Sequence, residues 1–199
     1  ALNAMKKLGI RYKIKNNECK IYGQGINGYN YKKNITLNAE NSGTLGRLIL
    51  GLLINTPHPI KLIGDKSLSK RDFRRVSDPL QKFGAKFKLT KNKYLPLSII
   101  GTQNLKPIKY FEKKGSAQCK SSIIFAGLRT AGTTLIKAKK SRDHTEILFK
   151  HLKIPIKVKK KKNFDLIEVE GKQNFRAFDY KIPADISSSA FFIVITLLS

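Results

Sequence analysis

The chain has 199 residues, with 40 Lys and Arg against 13 Asp and Glu, and a formal net charge of +27. A hydrophobic content of 41% supports a buried core and excludes wholesale disorder, and no apolar run reaches the roughly 18 residues of a membrane-spanning helix. Cys19 and Cys119 stand far apart, and His58, His144 and His151 lack metal-ligand spacing. No metal centre is expected, and both thiols read as reduced in a cytoplasmic protein. The charge suits a nucleic-acid partner, small anionic substrates, or a genome that favours lysine codons.

Ala1–Leu8 reads as the end of a helix, with Leu2, Met5 and Leu8 on one face and Gly9 as its stop. Tyr12–Lys15 and Cys19–Tyr22 alternate about Asn16-Asn17 and form a hairpin. A loop over Gly23–Asn34 leads to a short strand, Ile35–Leu37. A helix over Gly43–Ile54 ends at Asn55-Thr56-Pro57, and the strand Pro59–Ile63 follows. Asp65–Asp72 is a polar loop carrying Lys66, Lys70 and Arg71. Phe73–Phe83 is a helix made irregular by Pro79. Strands come next at Lys86–Leu89, Leu97–Ile100 and Ile108–Phe111, then a helix that opens at Ser116-Ala117-Gln118 and runs through Leu128.

Thr133–Lys137 is a strand. Ser141 caps the helix after it, with Asp143 and Glu146 in a first turn where the dipole favours acids. Strands at Ile156–Lys159 and Asp165–Val169 flank the dense run Lys157–Lys162, which reads as a solvated hairpin tip. Phe178–Ile182 reads as a further strand, and Asp185 caps the last helix. Leu48–Ile54 and Ala190–Leu198 are apolar nearly all round and are expected to be buried. The ends look cut: Ala1 stands in mid-helix and Ser199 inside a helix without a C-cap, as expected of an internal piece of a longer protein.

Segments of this chain repeat. A helix tail followed by a hairpin recurs at Ala1–Gly23, Pro79–Gly101 and Ile147–Gly171, with Leu8, Phe83 and Leu152 in equivalent places. A small-residue helix start recurs at Asn41-Ser42-Gly43-Thr44, Ser116-Ala117-Gln118 and Asp185-Ile186-Ser187-Ser188. Both sets repeat at about 70–75 residues, so the architecture is a triplicated unit of strand, helix, strand, helix, strand, strand with its helices inside. Helix N-termini attract anions. At three of them, cationic or amide side chains follow: Arg47 after Gly43, Gln118 and Lys120 after Ser116, and Arg142 after Ser141. Arg71, between a strand and a helix, can grip a phosphate or carboxylate with paired hydrogen bonds. Together these imply one cleft for a substrate with two or more anionic groups. No P-loop pattern and no nucleophile elbow is present.

At these residues the chain resembles the 5-enolpyruvylshikimate-3-phosphate synthase family, the 3-phosphoshikimate 1-carboxyvinyltransferases. The resemblance rests on Asn41-Ser42-Gly43-Thr44 with Arg47, Gly64-Asp65 with Arg71, Ser116-Ala117-Gln118-Cys119-Lys120-Ser121, Ser141-Arg142-Asp143-His144-Thr145-Glu146, and Pro183-Ala184-Asp185-Ile186-Ser187-Ser188. It implies an α+β fold, an alpha-beta prism of βαβαββ units with buried helices. Residues 1–183 would form most of a first domain, its first unit truncated, and 184–199 would begin a second. It implies transfer of the enolpyruvyl group of phosphoenolpyruvate to the 5-hydroxyl of shikimate 3-phosphate, with release of phosphate, on the route to chorismate and aromatic amino acids. Implied partners are those two substrates, with no organic cofactor, metal, specific nucleic acid or membrane. A cytoplasmic monomer is implied for the complete protein.

Carried over by motif, Gly43 and Arg71 contact phosphoenolpyruvate, and Asn41, Thr44 and Arg47 shape that pocket. Ser116, Ala117 and Gln118 hold shikimate 3-phosphate, with Gln118 reaching phosphoenolpyruvate as well, and Ser141 and Arg142 bind the shikimate phosphate or ring. The family's proton-transfer residues lie outside this segment, so the chain alone is expected to show no turnover. Glu40 stands where the family usually has glycine, Asp72 where it has proline, and Ala184 where it has glycine. The competing readings are a UDP-N-acetylglucosamine enolpyruvyl transferase, which uses a loop cysteine, an RNA-binding or RNA-end-processing protein of related architecture, and a catalytically dead remnant.

Overall fold

The chain opens with α1 (Leu2–Lys7) and a hairpin of β1 (Arg11–Lys15) and β2 (Glu18–Tyr22), and then folds into two units of like construction. The computed structural model describes residues 1–26, 28–173, 176–183 and 186–198. The first unit comprises β3 (Ile35–Asn38), α2 (Gly43–Leu52), β4 (Ile60–Ile63), a 3-10 turn (Leu68–Lys70), α3 (Arg74–Gln81), β5 (Lys86–Thr90) and β6 (Tyr94–Ile100). The second comprises β7 (Lys109–Glu112), α4 (Ala117–Arg129), β8 (Thr133–Lys139), α5 (His144–His151), β9 (Ile156–Lys160) and β10 (Phe164–Glu170), and α6 (Ile186–Leu198) follows it.

Each unit makes a four-stranded sheet with the same order, β3-β4-β6-β5 and β7-β8-β10-β9. In both, the first two strands are parallel and joined through a helix, and the rest are antiparallel. Alternation explains the faces: Ile60 and Leu62, and Leu95, Leu97 and Ile99, point inward and are buried, while Lys61 and Ser98 between them do not. The core they close on is helical. Ten of the thirteen residues of α4 are buried, and Ile49, Leu50, Leu53 and Ile54 of the first unit join them.

The two inner helices run side by side in the same direction. Gln118 Nε2 donates to Thr44 Oγ1 at one end (2.8 Å), and Arg129 Nε donates to Asn55 Oδ1 at the other (2.6 Å). Both pairs join residues 74 positions apart, the repeat period itself, so equivalent residues of the two units face each other. The helices come close at Gly51, where a Cβ would lie 2.1 Å from the carbonyl oxygen of Ser122. This parallel packing puts the N-termini of α2 and α4 at one end of the molecule.

Repetition extends to the helix ends. After α1, Gly9 N–H donates to Lys6 O and Ile10 N–H to Met5 O, both at 3.0 Å, and Gly9 is left-handed (φ +85). After α5, Lys153 N–H donates to Lys150 O (3.1 Å) and Ile154 N–H to Phe149 O (2.8 Å), with Lys153 left-handed in turn (φ +56). This is the same helix-terminating motif, once on glycine and once on lysine. Leu8 and Phe83 are fully buried at the corresponding places and Leu152 is half-buried.

Pro79 lies inside α3 and brings no N–H. The carbonyl four residues earlier, that of Arg75, is taken instead by the thiol of Cys119 on α4 (2.8 Å). A side chain of the neighbouring helix thus repairs the break.

Four expectations are corrected. Residues 178–182 form no strand: Phe178, Tyr180 and Ile182 are exposed in an irregular segment, because alternation makes a strand only where a neighbour supplies hydrogen bonds. Ser141 does not cap α5; the cap position is Asp143, two residues on, and its carboxylate pairs with Lys160 at 2.9 Å rather than with the helix start. The helix at Ala190–Leu198 forms, but its described side chains are not buried: Phe192 is 74% exposed and Leu198 82%. The Lys157–Lys162 run is largely β9 rather than a hairpin tip. The expected cap at Asp185 and the departure at Ala184 lie outside the described residues.

Candidate anion-binding site

The starts of α2 and α4 are prepared in the same way. Ser42 Oγ accepts from Leu45 N–H (3.1 Å) and Ser116 Oγ from Cys119 N–H (3.3 Å), so each helix is capped by the serine before it. Ahead of α4, the buried carboxylate of Glu112 accepts from Lys114 N–H (3.1 Å) and Ser116 N–H (3.0 Å) and shapes the turn at Gly115 (φ +68). Between the two starts a chain of contacts runs from Arg47 Nη1 to Gln118 Oε1 (2.6 Å) and from Gln118 Nε2 to Thr44 Oγ1 (2.8 Å). Four of the candidate residues, Gly43, Thr44, Arg47 and Gln118, are therefore brought together.

Arg71 joins them from the other side. A Cβ on Gly43 would sit 3.2 Å from Nη1 of both Arg47 and Arg71, so two guanidinium groups converge on a backbone that has no side chain in the way. Burial first, and then the charges of Arg71 and Arg75, push the Arg47 guanidinium below its ordinary value. It remains protonated at neutral pH. Cations held together against their own repulsion, beside a helix N-terminus, form a site that an anion completes.

Asn41 has a different place. Its Nδ2 donates to Asp65 Oδ2 (2.5 Å), and Asp65 Oδ1 accepts from Leu68 N–H (2.7 Å) at the start of the 3-10 turn that ends at Arg71. The Asn41 amide and the Leu68 N–H hold the Asp65 carboxyl below its usual range. Asn41 thus anchors the loop that presents Arg71. Arg71 itself is extended (φ −83, ψ 145), the conformation that a following proline would also demand. Asp72 substitutes for that proline by turning back on the chain: Oδ1 accepts from Arg74 N–H (2.8 Å) and Oδ2 pairs with Arg74 Nη2 (3.0 Å).

The remaining candidates line an adjoining cleft of about 440 Å³, walled by Ser116, Ala117, Gln118, Ser141 and Arg142 together with Arg75 and Lys114. Ser141 Oγ is buried there with no hydrogen-bond partner among the described residues. Arg75 and Lys114 escaped the sequence reading because a lone basic residue in a helix or loop of so basic a chain carries no distinguishing signal. His144, a candidate base by type, is exposed on α5. Among the described residues no group of three or more His, Cys, Asp or Glu could hold a metal ion, and no helix is long and apolar enough to cross a membrane.

Glu40 is left-handed (φ +51), which is the backbone reason a glycine suits this position. Its side chain borders a separate cleft with Lys6 and Lys7 of α1. Glu40→Gly is expected to raise the unfolding free energy by about 0.5–1 kcal/mol, as relief of left-handed strain outweighs the added freedom of the unfolded chain. Urea denaturation checks this; an unchanged or lower midpoint contradicts it.

Inward parallel helices whose N-termini lie side by side, wrapped by two sheets of like order, define the class: an α+β protein of repeated βαβαββ units with a candidate anion site at its helix starts. A family model described as EPSP synthase (3-phosphoshikimate 1-carboxyvinyltransferase) matches residues 1–199. The chain belongs to that family. It is 41% identical over 199 residues to the 3-phosphoshikimate 1-carboxyvinyltransferase of Caldicellulosiruptor bescii, covering 99% of this chain and 45% of that protein. It is 39% identical over 199 residues to the enzyme of the same name from Enterococcus faecalis, covering 99% and 46%. A solved EPSP synthase from Acinetobacter baumannii superposes with a TM-score of 0.85 at 36% identity, covering 97% of this chain and 43% of that one. The chain spans about 45% of the length of the curated relatives it matches, and its fold is that part of an enolpyruvyl transferase.

Proposed function

We propose that the chain is the first-domain part of a protein that transfers the enolpyruvyl group of phosphoenolpyruvate to the 5-hydroxyl of shikimate 3-phosphate and releases phosphate. Residues 1–183 supply most of that domain and 184–199 begin the next. The observation that carries this reading is the convergence of Arg47 and Arg71 on Gly43, joined through Gln118 to the cleft of Ser116, Ala117, Ser141 and Arg142. Phosphoenolpyruvate, with a carboxylate and a phosphate, is matched to the first group: Arg71 and the Gly43 backbone contact it, Thr44 and Arg47 shape its pocket, and Asn41 orients the Arg71 loop. Shikimate 3-phosphate is matched to the second, where the unfilled Ser141 hydroxyl and Arg142 meet its phosphate or ring. Helix N-termini and cations placed beforehand stabilise charge as the transfer proceeds, at little reorganisation cost. Acid and base come from residues beyond this segment. The same reading makes the complete protein a cytoplasmic monomer.

Cys119 argues against the UDP-N-acetylglucosamine alternative. Burial, and then the Glu112 carboxylate, push its thiol up to about 12, and Sγ is committed to the Arg75 carbonyl. Such a thiol cannot serve as an acid or nucleophile at neutral pH.

Calorimetric titration of the complete protein tests the acceptor. Shikimate 3-phosphate is expected to bind and UDP-N-acetylglucosamine to leave no heat; the reverse would overturn the reading. Gly43→Ala is expected to raise KM for phosphoenolpyruvate about tenfold or more and to weaken inhibition by glyphosate, which the family resemblance places in the phosphoenolpyruvate pocket, because the new methyl stands 3.2 Å from both guanidinium groups. An unchanged inhibition curve counts against this placement of Gly43.

A further inference from the structure

Behind the cleft lies an ion pair that belongs to neither substrate pocket. Lys120 Nζ stands 2.6 Å from Glu146 Oε1, and the two side chains are 0% and 3% exposed. The contact is close but poorly angled for a hydrogen bond, and Lys120 Nζ and both Glu146 oxygens have no hydrogen-bond partner among the described residues. Desolvating two charges for an incompletely bonded pair is a poor route to stability. Its position suggests another use.

Lys120 is in the first turn of α4, two residues past Gln118, and Glu146 is in the first turn of α5, four residues past Arg142. A second rung lies beside it, Ser121 Oγ to Thr145 Oγ1 at 2.7 Å. The two walls of the cleft, the α4 start and the segment carrying Ser141 and Arg142, are thus tied by a buried charge pair and one hydroxyl contact. The α4 start is held independently: Cys119 bonds Arg75 O, Ser122 bonds Arg47 O, and Gln118 bridges Arg47 and Thr44. α5 lies at the periphery, with His144, Ile147 and Lys150 exposed.

We propose that Lys120 and Glu146 are positioning residues for the phosphorylated acceptor: their pairing holds Ser141 and Arg142 at the separation from Ser116–Gln118 that the acceptor spans. Losing the pair frees the α5 start and leaves the Arg47–Arg71–Gly43 group in place. This inference rests on the functional reading above.

The test is steady-state kinetics of the complete protein with Glu146→Gln, Lys120→Met and the double variant Lys120→Met/Glu146→Leu. Each single variant is expected to raise KM for shikimate 3-phosphate about tenfold or more while KM for phosphoenolpyruvate stays within about twofold. The double variant leaves no buried charge unpaired, so its melting temperature returns to that of the wild type while its KM for shikimate 3-phosphate stays raised. It therefore decides the matter even if the single variants fail to fold. An unchanged KM for shikimate 3-phosphate, an equal rise in both KM values, or a wild-type KM in the double variant overturns the inference alone. A wild-type protein with no turnover of shikimate 3-phosphate overturns the functional reading, and the inference with it.

Discussion

Replacing Arg71 by alanine is expected to lower kcat/KM of the complete protein for phosphoenolpyruvate about 10²–10³-fold, the loss usual for removing one preorganised donor that stabilises charge. The reason is local. Arg71 is one of two guanidinium groups within reach of the Gly43 backbone, and its loop is anchored by the Asn41–Asp65–Leu68 contacts. Arg71→Lys should recover only part of the loss, because an ammonium ion cannot form the guanidinium's paired hydrogen bonds. Steady-state kinetics decides it: an alanine variant within about threefold of wild type would remove Arg71 from the site.

Gly51→Ala is expected to destabilise the protein by about 3 kcal/mol, or roughly 6–12 °C in Tm for a chain of this size. The added methyl would meet the backbone carbonyl oxygen of Ser122 at 2.1 Å, where α2 packs against α4. No rotamer relieves that clash; the helices must part. Their separation would also stretch the Arg47–Gln118–Thr44 chain, so substrate affinity should fall with stability. Thermal unfolding checks the first effect, and a Tm within about 2 °C of wild type would show that the helices do not meet as described.

Much of this was legible because several levels of the sequence agreed. The repeat period, the small-residue helix starts and the all-round apolarity of Leu48–Ile54 all pointed to units with inward helices. That same period brings Thr44 against Gln118 and Asn55 against Arg129. Where the reading failed, a partner was decisive. Phe178, Tyr180 and Ile182 alternate correctly, but a strand also needs a neighbour. Ala190–Leu198 is apolar as a buried helix would be, yet apolarity says nothing of what covers it.

The cap position of α5 fell to Asp143 and not Ser141 because the path of the chain, not residue type alone, decides where the helix starts. Lys120 reads as a cation at an anion-binding helix start and Glu146 as a first-turn acid, and their pairing was missed, although one signal was available. Lys120 precedes Ile123, Ile124 and Gly127 at helical spacing and so lies on the buried stripe of α4. A lysine there requires a carboxylate opposite. Cys119 was invisible for a related reason, since its partner carbonyl is freed only by Pro79 on another helix.

The most direct test of the assignment is to incubate the complete protein with phosphoenolpyruvate and shikimate 3-phosphate and to follow phosphate release together with the vinyl protons of the product by NMR. The account predicts phosphate release that requires both substrates and matches, mole for mole, the appearance of a new enolpyruvyl ether. Phosphate release without the acceptor, or no enolpyruvyl ether while both substrates bind, would contradict it.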